Sequence, residues 1–312
     1  MRQATSLLAA FLLAGCNGGG SPDSDLLPSG DDPRDLCLNS QCGSPRQLVD
    51  LPDLENVLVT DAGRVFVTGQ QGLYEIHRNA DGSYRATTLS GGCSGIMQRE
   101  SWVYALCTDA AGASAVMVFD ANAAEPVPES IFTLAGMTLP NGLAAGPEHT
   151  LFVTDGPIAV EPKIVRLQLD PANPRVVLAQ DTWLATRPDY PNGLAIRGKQ
   201  LYTTLFNPTT AEGEVARIDI RAGGSAGPIE RIHTRGIMDD LEVAGDTLLV
   251  TDWQSNRLFQ IEFDGALVQE TDALSYSQPS SLAVAPAAWF DPPAVLVTER
   301  YTGRGLWVHE RD

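Results

Sequence analysis

Basic residues are scarce in this chain: 21 Lys and Arg stand against 39 Asp and Glu in 312 residues, a net charge of −18. Nucleic acid needs a basic footprint for its phosphates, so it is excluded as a partner. Histidine is scarcer still. There are four, His77, His149, His233 and His309, and each reads as a surface residue outside the motif described below, so no imidazole base is expected. After Leu13 the chain has no long apolar run, which excludes a helical membrane span from its body. Nothing in that body shows the 3.6-residue apolar period of a long amphipathic helix.

What is present begins with MRQATSLLAAFLLAGC, in which Arg2 precedes an apolar run from Leu7 to Leu13 and then small residues. That is the layout of a secretory signal peptide, too short to span a bilayer. Its end, Leu13-Ala14-Gly15-Cys16, resembles the bacterial lipoprotein cleavage box. The resemblance implies removal of residues 1–15 and a lipid on Cys16; Asn17 in place of Asp implies sorting to the outer membrane. The stretch 16–45, rich in Gly, Ser, Pro and Asp, reads as a tether that buries no core, with the folded body at 46–312. Contact with the membrane is expected only through the lipid. Four cysteines remain for an oxidising compartment. Of their three pairings the sequence favours Cys37–Cys42, a local loop, and Cys93–Cys107, which flank a hairpin turning near Arg99-Glu100.

The body repeats. Pro-Asn-Gly-Leu-Ala occurs at 140–144 and again at 191–195, a turn signal by composition, each time before an alternating apolar strand. Aligned on Asn141 and Asn192, weaker copies appear at Glu55, Ser94, Asp239 and Ser280, at intervals of 39, 47, 51, 47 and 41 residues. Each leads to a second strand (VFVTG, VYALC, LFVTD, LYTTL, LLVTD, VLVTE) and then a third. Several short strands per 40–50-residue unit are the signature of a β-propeller, so six copies predict an all-β, six-bladed propeller. The sixth copy stops after its third strand, and a spare strand, Arg46–Leu51, precedes the first copy. That strand is predicted to complete the sixth blade and close the ring.

First strands line a propeller's channel, so Glu55, Ser94, Asn141, Asn192, Asp239 and Ser280 are expected together at one mouth. Two carboxylates and two amides offer the hard oxygen ligands that Ca²⁺, or another divalent cation, takes. No thiol or imidazole stands among them, which disfavours zinc and copper. Asp240 adjoins this set. Second strands return to the same mouth, which predicts Asp155, Asp252 and Glu299 around the pocket. Phe206, Trp253 and Tyr301 follow as an apolar rim.

This arrangement resembles the gluconolactonase and senescence-marker-protein (regucalcin-like) group, and in part the paraoxonases, which are six-bladed propellers with one metal on the axis. The resemblance implies Glu55, Asn192 and Asp239 as metal ligands, Asn141 as the further one, and Asp239 as the residue that takes the proton of water. LPNGLAAGPEHTLFVTDG has a paraoxonase character, and Asp239-Asp240 matches that family's Asp-Asn pair in part. The chain departs from the pattern at Leu139, where aldonolactonases carry a substrate-gripping Arg. It departs again at Ser94, where paraoxonases carry a His, and at Asn56, where gluconolactonases carry Gly-Pro. The implied activity is calcium-dependent hydrolysis of a small lactone or ester. Without that Arg and His, an uncharged, more apolar substrate is expected. The alternative is a non-catalytic, NHL-like binding propeller with a structural metal or none. A pure scaffold has no need of two converging carboxylates, so Glu55 and Asp239 separate the readings. A strictosidine-synthase-like condensing propeller finds no counterpart here for its catalytic acid.

Overall fold

In the second strand of the first blade, Val65 and Val67 pack with Leu296, Leu306 and Val308 of the sixth blade. Phe66, between them in sequence, packs with Ile96, Val103 and Phe119 of the second. Side chains of a strand alternate between faces, so a strand apolar at every position needs a partner on both sides. The computed structural model, which describes residues 36–39, 41–156, 160–301 and 303–311, meets that need with a ring of blades. Each blade is an antiparallel sheet of four strands, and there are six. Six apolar clusters lie one between each consecutive pair. Full burial of a residue such as Phe66 stabilises by about 1.5–3 kcal/mol. Among the described residues there is no helix.

The second strands fall where the sequence places them: Val65–Gly69, Trp102–Thr108, Thr150–Asp155, Gln200–Asn207, Thr247–Asp252 and Val295–Glu299. The ring closes as expected. Arg46–Pro52 lies antiparallel to the third strand of blade six, Arg304–His309, and becomes that sheet's outermost strand.

Both disulfides form. Cys93 and Cys107 stand directly opposite in the hairpin, with Cα atoms 3.9 Å apart. Cys37 and Cys42 close the short loop. The signal peptide and Cys16 lie outside the described residues.

Two expectations change. The tether does not run to residue 45 as a segment without a core, because Leu36 and Leu38 are buried between blades five and six. The outermost strand of blade five there, Leu267–Glu270, is the shortest of the outer strands, and the two leucines fill the space beside it. Gln269 holds them as a strand neighbour would: its Nε2 donates to the Leu36 carbonyl (2.7 Å) and its Oε1 accepts from the Leu38 N–H (3.1 Å). Nor is His309 on the surface. It is buried in blade six, with Nδ1 3.0 Å from the Tyr276 hydroxyl.

Candidate functional site

Every inner strand carries one extra residue at the same place. Pro140 faces Asp155 and Leu143 faces Val153, so Asn141 and Gly142 together oppose Thr154. The same shift puts Glu55-Asn56 opposite Thr68, Asn192-Gly193 opposite Thr204 and Asp239-Asp240 opposite Thr251. A bulge of this kind interrupts the ladder and re-aims a side chain, here toward the channel mouth. Pro-Asn-Gly therefore lies within strands (Pro140–Gly146 and Tyr190–Arg197) and forms no turn. The glycine serves close approach. A Cβ on Gly142 would stand 2.2 Å from the Asn192 carbonyl oxygen, where neighbouring inner strands converge.

The backbone groups that the bulge frees are tied by threonine. Thr204 Oγ1 accepts the Gly193 N–H (2.9 Å) and donates to the Asp239 carbonyl of the next blade (2.7 Å). Thr154 does the same between Gly142 and Asn192, and Thr298 between Ser281 and Glu55. Thr68 and Thr251 repeat it, and in blade two Leu106 holds the corresponding place. Five hydroxyls thus tie five of the six junctions between neighbouring inner strands. Thr204→Val keeps the shape and strands two buried backbone groups, so it should cost about 1–3 kcal/mol for each. Urea unfolding reads this, and a loss below about 0.5 kcal/mol would contradict the tie.

Four of the six aligned side chains are drawn into hydrogen-bonded pairs around the axis, and a fifth joins them. Asn141 Nδ2 donates to Glu55 Oε1 at 3.0 Å across blades. Asn192 Nδ2 donates to Asp239 Oδ1, and Ser280 Oγ donates to Asp239 Oδ2 at 2.8 Å. Glu55 and Asp239 are buried, 4% and 8% exposed. Ser94 does not join the carboxylates; its hydroxyl donates to the Pro140 carbonyl (2.9 Å). Asp240 accepts from Asn56 Nδ2 (2.8 Å), which gives the departure at Asn56 a role.

The three acids at the ends of second strands each accept backbone N–H groups of a neighbouring loop. Asp155 Oδ1 accepts the N–H groups of Thr138 and Leu139, fixing the loop that enters blade three. Glu299 accepts the Ser277 N–H in the loop that enters blade six. Asp252 accepts the Ser255 N–H, with Arg235 3.3 Å from its other oxygen. Of the rim residues, Trp253 and Tyr301 meet with ring centres 6.4 Å apart, Tyr301 is 59% exposed, and Phe206 is half-buried.

One charged side chain beside the axial set escaped the sequence reading. Arg300 Nη1 lies 2.5 Å from Glu55 Oε2, and its guanidinium sits 4.9 Å from the Tyr301 ring centre. In the repeat it stands at the register of Phe206 and Trp253, and that alignment was the available signal.

The electrostatics follow from burial. Glu55 is pushed well above the ordinary carboxylate range, first by desolvation and next by the Asp239 charge, against the pull of Arg300 and Asn141. Asp239 is raised by desolvation, with Ser280, Arg300 and Asn192 opposing. Desolvation also carries Asp240 up to about 7. Three acids at one mouth with one arginine form a place short of positive charge, which fits a divalent cation. Both amide NH₂ groups turn toward carboxylates, which leaves the amide oxygens of Asn141 and Asn192 to serve as ligands. Among the described residues no three His, Cys, Asp or Glu side chains form a metal cage by themselves, so the fit rests on this mixed set of carboxylates and amides.

No family model and no curated protein matches the chain. Solved structures do. A calcium-binding protein, regucalcin, from Agrobacterium tumefaciens is 15% identical with a TM-score of 0.63, over 88% of this chain and 95% of its own. A gluconolactonase from Xanthomonas campestris is 16% identical with a TM-score of 0.61, over 86% and 89%. A pyrroloquinoline-quinone-bound aldose sugar dehydrogenase from Streptomyces coelicolor is 17% identical with a TM-score of 0.60, over 85% and 98%. Lactonase and dehydrogenase chemistry thus share this architecture, and the likeness is one of fold: the chain is a six-bladed propeller built like the gluconolactonase and regucalcin structures.

Proposed function

We propose that this protein is a divalent-metal-dependent hydrolase of small lactones or esters, with Ca²⁺ the favoured ion, exported and held to the outer membrane by a lipid on Cys16. The observation that carries the reading is the axial set itself, two buried carboxylates each held by the amide of a different blade. Glu55, Asn141, Asn192 and Asp239 are the residues that would hold the ion. Bound there, it would polarise a carbonyl and stabilise the oxyanion that forms when water adds. Asp239 is the base, and Asn192 and Ser280 fix the orientation of its two oxygens. Phe206, Trp253 and Tyr301 offer an apolar rim to the substrate's body.

Structural neighbours described as a gluconolactonase and as calcium-binding support the choice of chemistry and ion. The two disulfides suit an oxidising compartment outside the cytoplasm. One observation favours the second reading, a binding propeller without catalysis: the Arg300 guanidinium itself pairs with Glu55. A panel of lactones and aryl esters separates the two. Turnover is expected with Ca²⁺, to be lost with chelator, and to fall by about 10²-fold or more in Asp239→Asn, which keeps shape and one oxygen but not the base. No turnover above buffer by the calcium-loaded protein would decide for the binding propeller.

A further inference from the structure

Arg300 is held in place by more than its ion pair. Its own N–H donates to the Gln278 carbonyl (3.1 Å), and the Tyr301 N–H donates to Asp53 Oδ1 (3.1 Å). The backbone that carries it is therefore pinned to loops of two blades. Its side chain keeps about a quarter of its surface in solvent, with 27% exposed, and leads from the Tyr301–Trp253 aromatic pair inward to Glu55.

We propose that Arg300 determines specificity by gripping the carboxylate of an anionic ligand whose apolar or aromatic body lies against Tyr301 and Trp253. The proposal rests on the divalent-cation reading of the axial site. Glu55 has a single negative charge to share, and Arg300 pairs with it. With that charge engaged by the axial cation, Arg300 would be free to turn its planar fork of N–H donors to a ligand lying beside Tyr301 and Trp253. That fork matches a carboxylate bidentately. Cation and carboxylate therefore bind with positive coupling, each improving the affinity for the other by the same factor. The preferred ligand carries a negative charge, contrary to the uncharged substrate expected from Leu139 and Ser94 alone.

Calorimetric titration of the exported full-length protein tests this in two stages. CaCl₂ is titrated first; then sodium benzoate and its neutral counterpart benzamide are each titrated into calcium-loaded and into chelated protein. The calcium-loaded protein should bind benzoate about tenfold more tightly than benzamide, and the chelated protein should show a smaller preference. Arg300→Gln should erase the preference while binding Ca²⁺ several-fold more tightly, because a competing positive charge has gone. Arg300→Lys, the gentler change, should keep part of the preference. Equal binding of benzoate and benzamide by calcium-loaded wild type, or an undiminished preference in Arg300→Gln, would overturn the proposal and leave the metal reading standing. Absence of calcium binding in the first stage would overturn both.

Discussion

Saturating calcium should raise the melting midpoint of the wild-type protein by roughly 8–16 °C, and neither Asp239→Ala nor Glu55→Ala should show the rise. A ligand at about 1,000 times its dissociation constant stabilises the folded state by ~4 kcal/mol, and each kcal/mol moves the midpoint of a domain this large by roughly 2–4 °C. The effect depends on the axial set because its residues come from four blades, which part when the ring opens. Asp155→Ala provides the contrast. It removes the acceptor for the Thr138 and Leu139 N–H groups, so its midpoint should start lower, yet the calcium-induced rise should remain. Scanning calorimetry with calcium and with chelator reads all four proteins. A wild-type midpoint indifferent to both additions would count against the axial cation.

The second large effect is a dependence on pH that calcium removes. Glu55, Asp239 and Asp240 all bind protons more tightly in the folded protein than in the unfolded chain. Without the cation, the contribution of these three groups to stability is thus largest below about pH 4, where both states are protonated, and is lost as pH rises through the folded values. The rise for Asp240, from 3.8 to about 7, corresponds to ~4 kcal/mol at most. The chelated protein should therefore melt roughly 5–10 °C lower at pH 8 than at pH 5. Asp240→Asn should flatten the slope, which separates the local effect from the repulsion of a chain with net charge −18. Calcium, favouring the ionised carboxylates, should reverse the slope. A chelated wild-type protein with a midpoint that climbs over the same interval would refute this account of the mouth.

The blades were legible because each second strand is apolar at nearly every position and returns at a near-constant interval. The axial register was legible too, since one residue in each unit aligns with Asn141 and Asn192. What lay behind the Asn-Gly pair was not. Composition reads it as a turn, whereas Gly142 is required by the approach of the neighbouring inner strand, a contact between residues fifty positions apart. The threonine ties were present in the letters, at the fourth place of VFVTG, LFVTD, LYTTL, LLVTD and VLVTE. A buried Thr in a strand looks like ordinary β propensity until its hydroxyl is seen to span two blades. Leu36 and Leu38 were hidden by the average composition of the Gly- and Asp-rich stretch around them. Arg300 follows Glu299 in a loop, and its reach to Glu55, 245 positions earlier, depends on closure of the ring.

Metal content reads the axial site without an intermediary. The purified protein and its Asp239→Ala variant would be dialysed against Ca²⁺, freed of unbound ion and analysed by mass spectrometry. Wild-type protein should retain calcium in stoichiometric amount, and the variant should retain little while folding as the wild type does. Calcium absent from both, or equal in both, would contradict the axial-cation reading.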